Sequence, residues 1–404
     1  MTESLVIVGA GQAASQLVAS LRTEGFGGAI TLVGDEAYIP YQRPPLSKAF
    51  LAGELARERL FIKPEEFYAE AKVELHLKTR ATAIDRARKV VKLESGKELP
   101  YTTLAITTGS RVRKLPLTGA DLPGCYYLRG IADVELLQDK LKAGNRAVII
   151  GAGYIGLEVA AVAAKHKLKV TVLEALPRVM ARATCPELSA FYEDVHKKAG
   201  VDIRCNTKID AIETNGAALT VKTSAGPVDA DFVLIGIGIV PNVELATDAG
   251  LKVDNGIVVD QFARTEDPAI YSIGDCANLP CTYSTTGRVR LESVQNAIDQ
   301  AKHAAAAICG KPKPYNEVPW FWSDQYDLKL QIAGLADPQD QIVLRGDPAS
   351  RSFAAFHLRD GVIVAVEAVS AAPEYMMGRR LIAARAKVAP DRLADKAVPM
   401  KDMI

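Results

Sequence analysis

The sequence predicts an α/β protein built on two Rossmann-type dinucleotide-binding domains. Three observations predict it. The chain opens on a strand-like run that ends in a glycine turn, "VIVGAGQAAS" (6–15). A similar run, "VIIGAGYIGLEVA" (148–160), recurs mid-chain. The second copy is followed by an apolar run, "KVTVLE" (169–174), that ends in a carboxylate.

In the first copy, "LVIV" (5–8) fits a buried parallel strand. The turn Gly9-Ala10-Gly11-Gln12-Ala13-Ala14 then matches G-x-G-x-x-G/A, with Ala14 in the last place. The first glycine permits the tight turn, the second lets a pyrophosphate approach the backbone, and the small third residue lets helix and strand pack closely. The helix N-terminus would offer unpaired N–H groups and a positive dipole end to the phosphates. A second strand, "AITLV" (29–33), is followed by Asp35 and Glu36, either of which would reach a ribose hydroxyl. Gly34 stands where an acidic residue commonly closes this strand.

The second copy is cleaner. Strand "AVII" leads into Gly151-Ala152-Gly153-Tyr154-Ile155-Gly156 and then the helix-compatible "LEVAAVAAKHK". Glu174 lies 21 residues after Gly153, the distance expected of a carboxylate that holds the adenosine 2′-OH. A carboxylate there repels a 2′-phosphate and favours NADH over NADPH, with Arg178 nearby as the opposing charge. Two fingerprints suggest two dinucleotides. A flavin and a nicotinamide form the natural pair, because one gives a hydride and the other takes it and releases single electrons.

Composition narrows the field. The 404 residues are 49% hydrophobic and 24% charged, with 49 basic against 48 acidic side chains. A net charge of +1 argues against a general nucleic-acid binder. No apolar run approaches a membrane span, and "MTESLVIVGAG" leaves no room for a signal peptide, so a cytoplasmic enzyme is expected. The six cysteines show no metal-ligand pairing, and no metal is expected. Cys276 and Cys281, five apart, are expected to be simple thiols. The five histidines, His76, His166, His196, His303 and His357, show no ligand or triad spacing.

Further motifs carry a family resemblance. "LAITTGS" (104–110), with Thr107 for the usual alanine, "VLIGIGIVPN" (233–242) and "IYSIGDCAN" (270–278) are similar to segments of two-dinucleotide-binding flavoproteins. "YQRPPLSKAFL" (41–51), "RLESVQNAIDQA" (290–301) and "PWFWSDQYDLKLQIAGL" (319–335) extend the similarity over essentially the whole chain. The chain resembles the FAD-dependent, NADH-using reductases of [2Fe-2S] ferredoxins, the putidaredoxin reductase-like group, which serve bacterial cytochromes P450 or ring-hydroxylating dioxygenases. That resemblance implies a glutathione reductase-like fold: two Rossmann-type domains plus a C-terminal α/β domain. It implies an FAD domain at 1–109 and 237–312, an inserted NAD domain at 110–236, and the last domain at 313–404, after the breaker-rich "GKPKPYNEVP".

The resemblance also implies roles. Lys48 would approach the flavin near N5 and pair with Glu158. Arg43, Ala81, Thr108, Gly109, Arg129, Gly274, Asp275, Val294 and Trp320 would line FAD, with Ala13 and Asp35 or Glu36 at its ADP half. Tyr154 and Ile155 would lie at the NADH site, with Gly238 near the nicotinamide. Trp320 and Trp322 would lie at the flavin's exposed edge, or else simply pack in a core. Lys302, Lys329 and Lys401 would help to dock an acidic ferredoxin, although the segment from 313 onward carries 12 basic and 12 acidic residues and no net bias. The redox cysteines of disulfide reductases would fall within "YIPYQRPPLSKAF" (38–50), which has none. Other readings are an NADH oxidase or rubredoxin reductase on the same fold, and a flavoprotein that senses NADH. Both a monomer and a homodimer fit.

Overall fold

In the computed structural model, which describes residues 3–403, internal contacts group the chain into two units. The first takes the chain up to Gln42, Arg57–Arg111 and Val240–Phe321; the second takes Arg43–Ala56, Val112–Ile239 and the chain from Trp322 on.

In the first unit, strand Ser4–Val8 is central to a five-stranded parallel sheet. Ala29–Val33 and then Val73–His76 lie on one side of it, and Thr103–Ile106 and then Ile270–Ser272 on the other. Leu5 and Ile7 point to one face and Val6 and Val8 to the other; all four are buried, as a sheet covered on both sides requires. Helix Gln12–Glu24 covers one face with Ala13, Ala14, Leu17, Val18 and Leu21. Helix Val294–Ile308 packs beside it through Ala297, Ala301, Ala304 and Ala305, whose small side chains permit close approach. Ser293 caps this helix by accepting from the Asn296 N–H at 3.2 Å. The other face is covered by an antiparallel sheet of Ala81–Asp85, Val90–Leu93 and Glu98–Pro100.

The second unit repeats the architecture. Its parallel sheet runs Asp202–Arg204, Lys169–Leu173, Arg146–Ile150, Phe232–Ile235 and Cys125–Tyr126. Helix Tyr154–Lys165 packs on it, and three antiparallel strands, Ile209–Asn215, Ala218–Thr223 and Val228–Ala230, share a core with it. From Trp322 on, the same unit holds the C-terminal sheet, whose strands run in the order Trp320–Gln325, Leu328–Gly334, Val362–Val369, Ser352–Arg359, Gln341–Asp347. Helix Ala372–Ala383 packs on that sheet at Gly378, where a Cβ would come within 2.6 Å of the Val366 side chain. Among the described residues no helix is long and apolar enough to cross a membrane.

Candidate functional site

The turn of the first unit is built as its sequence requires. Gly9 has φ +112°, and a Cβ on it would lie 2.3 Å from the Thr107 carbonyl oxygen. Thr107 explains its own departure from alanine: its hydroxyl donates to the Gly9 oxygen at 2.7 Å and to the Val8 oxygen at 3.2 Å. The hydroxyl therefore pins the turn to the neighbouring strand. Gly11 is the N-cap of helix Gln12–Glu24; no side chain caps it, and nothing lies within 4 Å of where its Cβ would be. An open, uncapped helix N-terminus fits a pyrophosphate.

Of the other sequence-predicted residues of this unit, Gly274 and Thr108 lie close to the turn, and the rest have partners of their own. Gly274, at φ +85°, lies against Ala13 and Ala297 and donates its N–H to Gln300 Oε1 at 2.6 Å. Thr108 and Gly109 are clamped to Asn242: the Thr108 hydroxyl donates to the Asn242 oxygen at 2.7 Å, and the Asn242 N–H donates to the Gly109 oxygen at 2.9 Å. Asp275 is half-buried, and Arg290 donates to its carbonyl oxygen. Val294 opens the helix that follows, and Trp320 donates its N–H to Gln295 Oε1 at 3.2 Å. Ala81 is buried, in a segment that runs beside the acidic pair: Lys78 N–H donates to the Glu36 oxygen and Thr79 N–H to the Gly34 oxygen, both at 2.9 Å.

The acidic pair is distinguished by its surroundings. Asp35 is exposed, whereas the Glu36 carboxylate already accepts from the Tyr41 hydroxyl at 2.5 Å. Gly34 has a packing reason to be glycine, since a Cβ would meet Ala10 Cβ at 2.5 Å.

The turn of the second unit is tighter. Gly151 has φ +101°, and a Cβ there would lie 2.4 Å from the Gly236 oxygen. A Cβ on Gly156 would lie 2.0 Å from the Gly151 oxygen. Gly153, the N-cap of helix Tyr154–Lys165, has open space at its Cβ position and no side-chain cap. This cradle too fits a pyrophosphate. Glu174 reaches the turn: its carboxylate accepts from the Ala152 N–H at 2.8 Å and from the Leu176 N–H at 2.9 Å. Arg178 is committed elsewhere, donating to the Thr184 and Ala181 oxygens and to Ser189 Oγ. Tyr154 and the exposed Ile155 begin the helix, and the Tyr154 hydroxyl donates to the Ala183 oxygen at 3.2 Å. Gly238, at φ +109°, has open space where a side chain would be.

Lys48 and Glu158, 110 residues apart in sequence, meet in this second unit. Lys48 ends a short turn, Pro44–Ser47, whose two prolines suit its first positions. Its Nζ lies 2.7 Å from Glu158 Oε2, with the lysine side chain 20% exposed and the glutamate 2%. Ser47 Oγ donates to the same oxygen at 2.5 Å, and Ser323 Oγ donates to Glu158 Oε1 at 2.6 Å. Burying a carboxylate costs several kcal/mol unless it is paired and hydrogen-bonded, and here both oxygens are served. Nearby, Arg43 donates to the Arg129 carbonyl oxygen at 2.6 Å, and the Arg129 N–H donates to Asp133 at 2.8 Å.

The structure also shows what the sequence did not signal. Ser47 and Ser323 each sit beside a recognised motif residue, yet nothing in the spacing announces their shared acceptor. Buried Cys185, His357 and Glu367 bring their donor atoms within 4.8 Å of one another. Glu367 accepts from the Cys185 N–H at 3.1–3.2 Å, placing an anion at the start of helix Pro186–Lys198, and lies 3.1 Å from His357 Nε2. Cys276 and Cys281 are buried free thiols, and all six cysteines are unpaired. Trp320 and Trp322 are both half-buried. Lys302 pairs with Asp299 at 3.0 Å, while Lys329 and Lys401 are exposed.

Comparison with known proteins bears directly on these features. Residues 3–301 match the pyridine nucleotide-disulphide oxidoreductase family, and residues 320–404 match the reductase C-terminal family. A ferredoxin–NAD(P)(+) reductase of Sphingomonas sp. is 42% identical over 403 residues, covering 99% of this chain and 97% of that protein. Putidaredoxin reductase of Pseudomonas putida is 42% identical, covering 100% and 97%. A rubredoxin–NAD(+) reductase of the same organism is 41% identical over a shorter stretch, covering 84% and 89%. The crystal structure of the covalent putidaredoxin reductase–putidaredoxin complex superposes with a TM-score of 0.96 at 42% identity, covering 99% of this chain and 98% of that one. The chain belongs to the pyridine nucleotide-disulphide oxidoreductase family, with a reductase C-terminal domain following at residues 320–404.

Proposed function

We propose that this protein is an FAD-dependent NADH:ferredoxin oxidoreductase that passes electrons to a [2Fe-2S] ferredoxin supplying a cytochrome P450 or a dioxygenase. The observation that carries this reading is the pairing of Lys48 with the buried Glu158. Its Lys48 lies in the segment where disulfide-reducing members of the fold hold their redox cysteines, and all six cysteines here lie elsewhere, unpaired. A thiol relay is therefore not the route by which electrons leave. Bound FAD supplies the conversion of a two-electron donor into single-electron transfers.

On this reading, 1–109 and 237–312 hold FAD through the turn Gly9–Ala14, Thr108, Gly109, Gly274 and Asp275. The segment 110–236 holds NADH through Gly151, Gly153, Gly156 and Glu174, and 313–404 forms the third domain. The pocket selects NADH because Glu174 aims a carboxylate at the turn while Arg178 is engaged with the 181–189 loop. Asp35 is the ribose partner in the FAD turn, since Glu36 is already held by Tyr41. Six free thiols suit a reducing cytoplasm.

The test is NADH-driven cytochrome c reduction with and without added [2Fe-2S] ferredoxins, while oxygen uptake is recorded. Strong ferredoxin dependence with little oxygen uptake is the expected result. Rapid oxygen consumption that ignores ferredoxin would overturn the reading in favour of an oxidase. A rubredoxin arm tests the rubredoxin reductase alternative, and a rubredoxin that outperforms every ferredoxin would select it.

A further inference from the structure

Glu158 is the end of a longer chain of contacts. Ser323 Oγ, which donates to Glu158 Oε1, itself accepts from Gln325 Nε2 at 3.3 Å. Gln325 Oε1 lies 2.9 Å from His196 Nε2, and the Tyr326 hydroxyl lies 3.0 Å from His196 Nδ1. Ser323, Gln325 and His196 are all buried, and Tyr326 reaches the surface.

The links share one direction. A carboxylate can only accept, so Ser323 must donate to it. The hydroxyl's remaining acceptor capacity then takes an N–H of Gln325, which turns the amide oxygen toward His196. That oxygen needs a proton on Nε2, which leaves Nδ1 as the acceptor for Tyr326. Every donor in the series therefore points toward the Glu158 carboxylate. Burial lowers the His196 pKa, with the Gln325 hydrogen bond opposing it, so near neutral pH the ring is uncharged, the state this series requires. Tyr326 holds φ +57°, a conformation uncommon for an aromatic residue, at the tight turn after strand Trp320–Gln325. That strained position carries its ring onto His196, with centroids 5.0 Å apart.

We propose that Ser323, Gln325, His196 and Tyr326 form a positioning relay that holds the Glu158 carboxylate aimed at Lys48. The relay rests on the proposal above that the Lys48–Glu158 pair serves the flavin reaction. It ties helix Tyr154–Lys165, which carries Glu158, to helix Pro186–Lys198 and to the C-terminal sheet. The charged and titratable groups that face Glu158 include Lys48 and the phenols of Tyr154 and Tyr192. Burial foremost, with nearby carboxylates, pushes both phenols above the usual tyrosine range, so neither adds charge at working pH. His196 is faced by Tyr326 and Gln325.

The experiment compares the FAD-loaded parent chain with Ser323→Ala, Ser323→Thr and Tyr326→Phe. One readout is the carboxyl 13C titration of Glu158, assigned with Glu158→Gln. The second is the ring 15N spectrum of His196, and the third is the pH profile of flavin reduction by NADH in stopped flow. Loss of one hydrogen bond to a charged acceptor moves its titration by about one pH unit. Ser323→Ala should shift the Glu158 titration and the acid limb of the rate profile upward together by about that amount, and Ser323→Thr should restore both. His196 should show the Nε2–H tautomer, with its Nδ1 resonance moving in Tyr326→Phe, a surface change that keeps the test open if Ser323→Ala fails to fold. An Nδ1–H tautomer, or a Glu158 titration unmoved in folded Ser323→Ala, would overturn the relay. A Glu158 titration that moves while the rate profile stays fixed would support the relay and overturn the role given to the Lys48–Glu158 pair.

Discussion

Replacing Gly156 with alanine should disable the proposed nicotinamide site and spare the proposed flavin site. The two fingerprints differ at this position, with Ala14 in the first and Gly156 in the second. In the first, the alanine is fully buried and tolerated. In the second, a Cβ would lie 2.0 Å from the Gly151 oxygen, where ordinary contact begins at 3.4 Å. The shortfall of about 1.4 Å falls on backbone, so no side chain can swing aside. Gly156 lies within the helix at an ordinary φ, so space alone decides the outcome. Helix Tyr154–Lys165 must move off its strand, carrying its N-terminus away from the proposed pyrophosphate position and Glu158 away from Lys48. A displacement near 1 Å costs about 100-fold in a positioned reaction, and overpacking costs about 1–3 kcal/mol of stability. The assay is stopped-flow reduction of the FAD-loaded protein by NADH, beside its flavin-to-protein absorbance ratio and its melting temperature. The expected pattern is full flavin content, a modestly lowered Tm and a reduction rate down by about two orders of magnitude. A Gly156→Ala protein that NADH reduces as fast as the parent, at unchanged Tm, would refute this account of the turn.

Other outcomes follow from the same geometry. Glu174→Ala removes the acceptor for the Ala152 N–H and the proposed ribose partner, so kcat/KM for NADH should fall roughly 10- to 100-fold while the NADPH/NADH ratio rises; an unchanged ratio would sink the specificity assignment. His196 is held neutral by burial, so the unfolded chain binds its proton first as pH falls. Stability from this residue is complete above its unfolded pKa of about 6.5 and declines on acidification below it, by at most about 1.4 kcal/mol per pH unit. Plots of Tm against pH should be flatter between pH 5 and 7 (roughly the window set by that value) in His196→Asn than in the parent. Buried Arg345 donates to the Leu393, Asp395 and Val398 oxygens and so ties down the final segment. Arg345→Met should cost about 3 kcal/mol in urea unfolding and expose the segment after Leu393 to limited proteolysis.

What could be read in the sequence was whatever is local. The glycine turns, their strands and the carboxylate of Glu174 lie within about 25 residues of one another, and the 2.0 and 3.6 periodicities mark them. Lys48 and Glu158 were reached through family resemblance, since no spacing rule joins residues so far apart. The two serines that complete Glu158 were illegible because Ser323 lies 165 residues beyond its acceptor and hydroxyls are common everywhere. The choice between Asp35 and Glu36 stayed open in the sequence for a similar reason. It turns on the Tyr41 hydroxyl, which depends on how the chain folds back after Pro40. Gly34 and Thr107 looked like departures from a pattern, and each has a steric or hydrogen-bonding cause that only packing reveals. His196 and His357 likewise carried no signal, because buried partners 129 and 10 residues away in sequence give them their surroundings.

Strand Trp320–Gln325 constrains how this chain can vary. Its alternation sends Trp320 and Trp322 to one face and Ser323 and Gln325 to the other. Point changes on either face act separately, so each can drift without the other. A single inserted or deleted residue has no such freedom. It would turn both sets over at once, presenting tryptophan to the carboxylate of Glu158 and hydroxyl and amide to the opposite side. Relatives that carry this C-terminal domain can therefore be expected to differ here by substitution while keeping the residue count from the tryptophans to the tyrosine turn fixed.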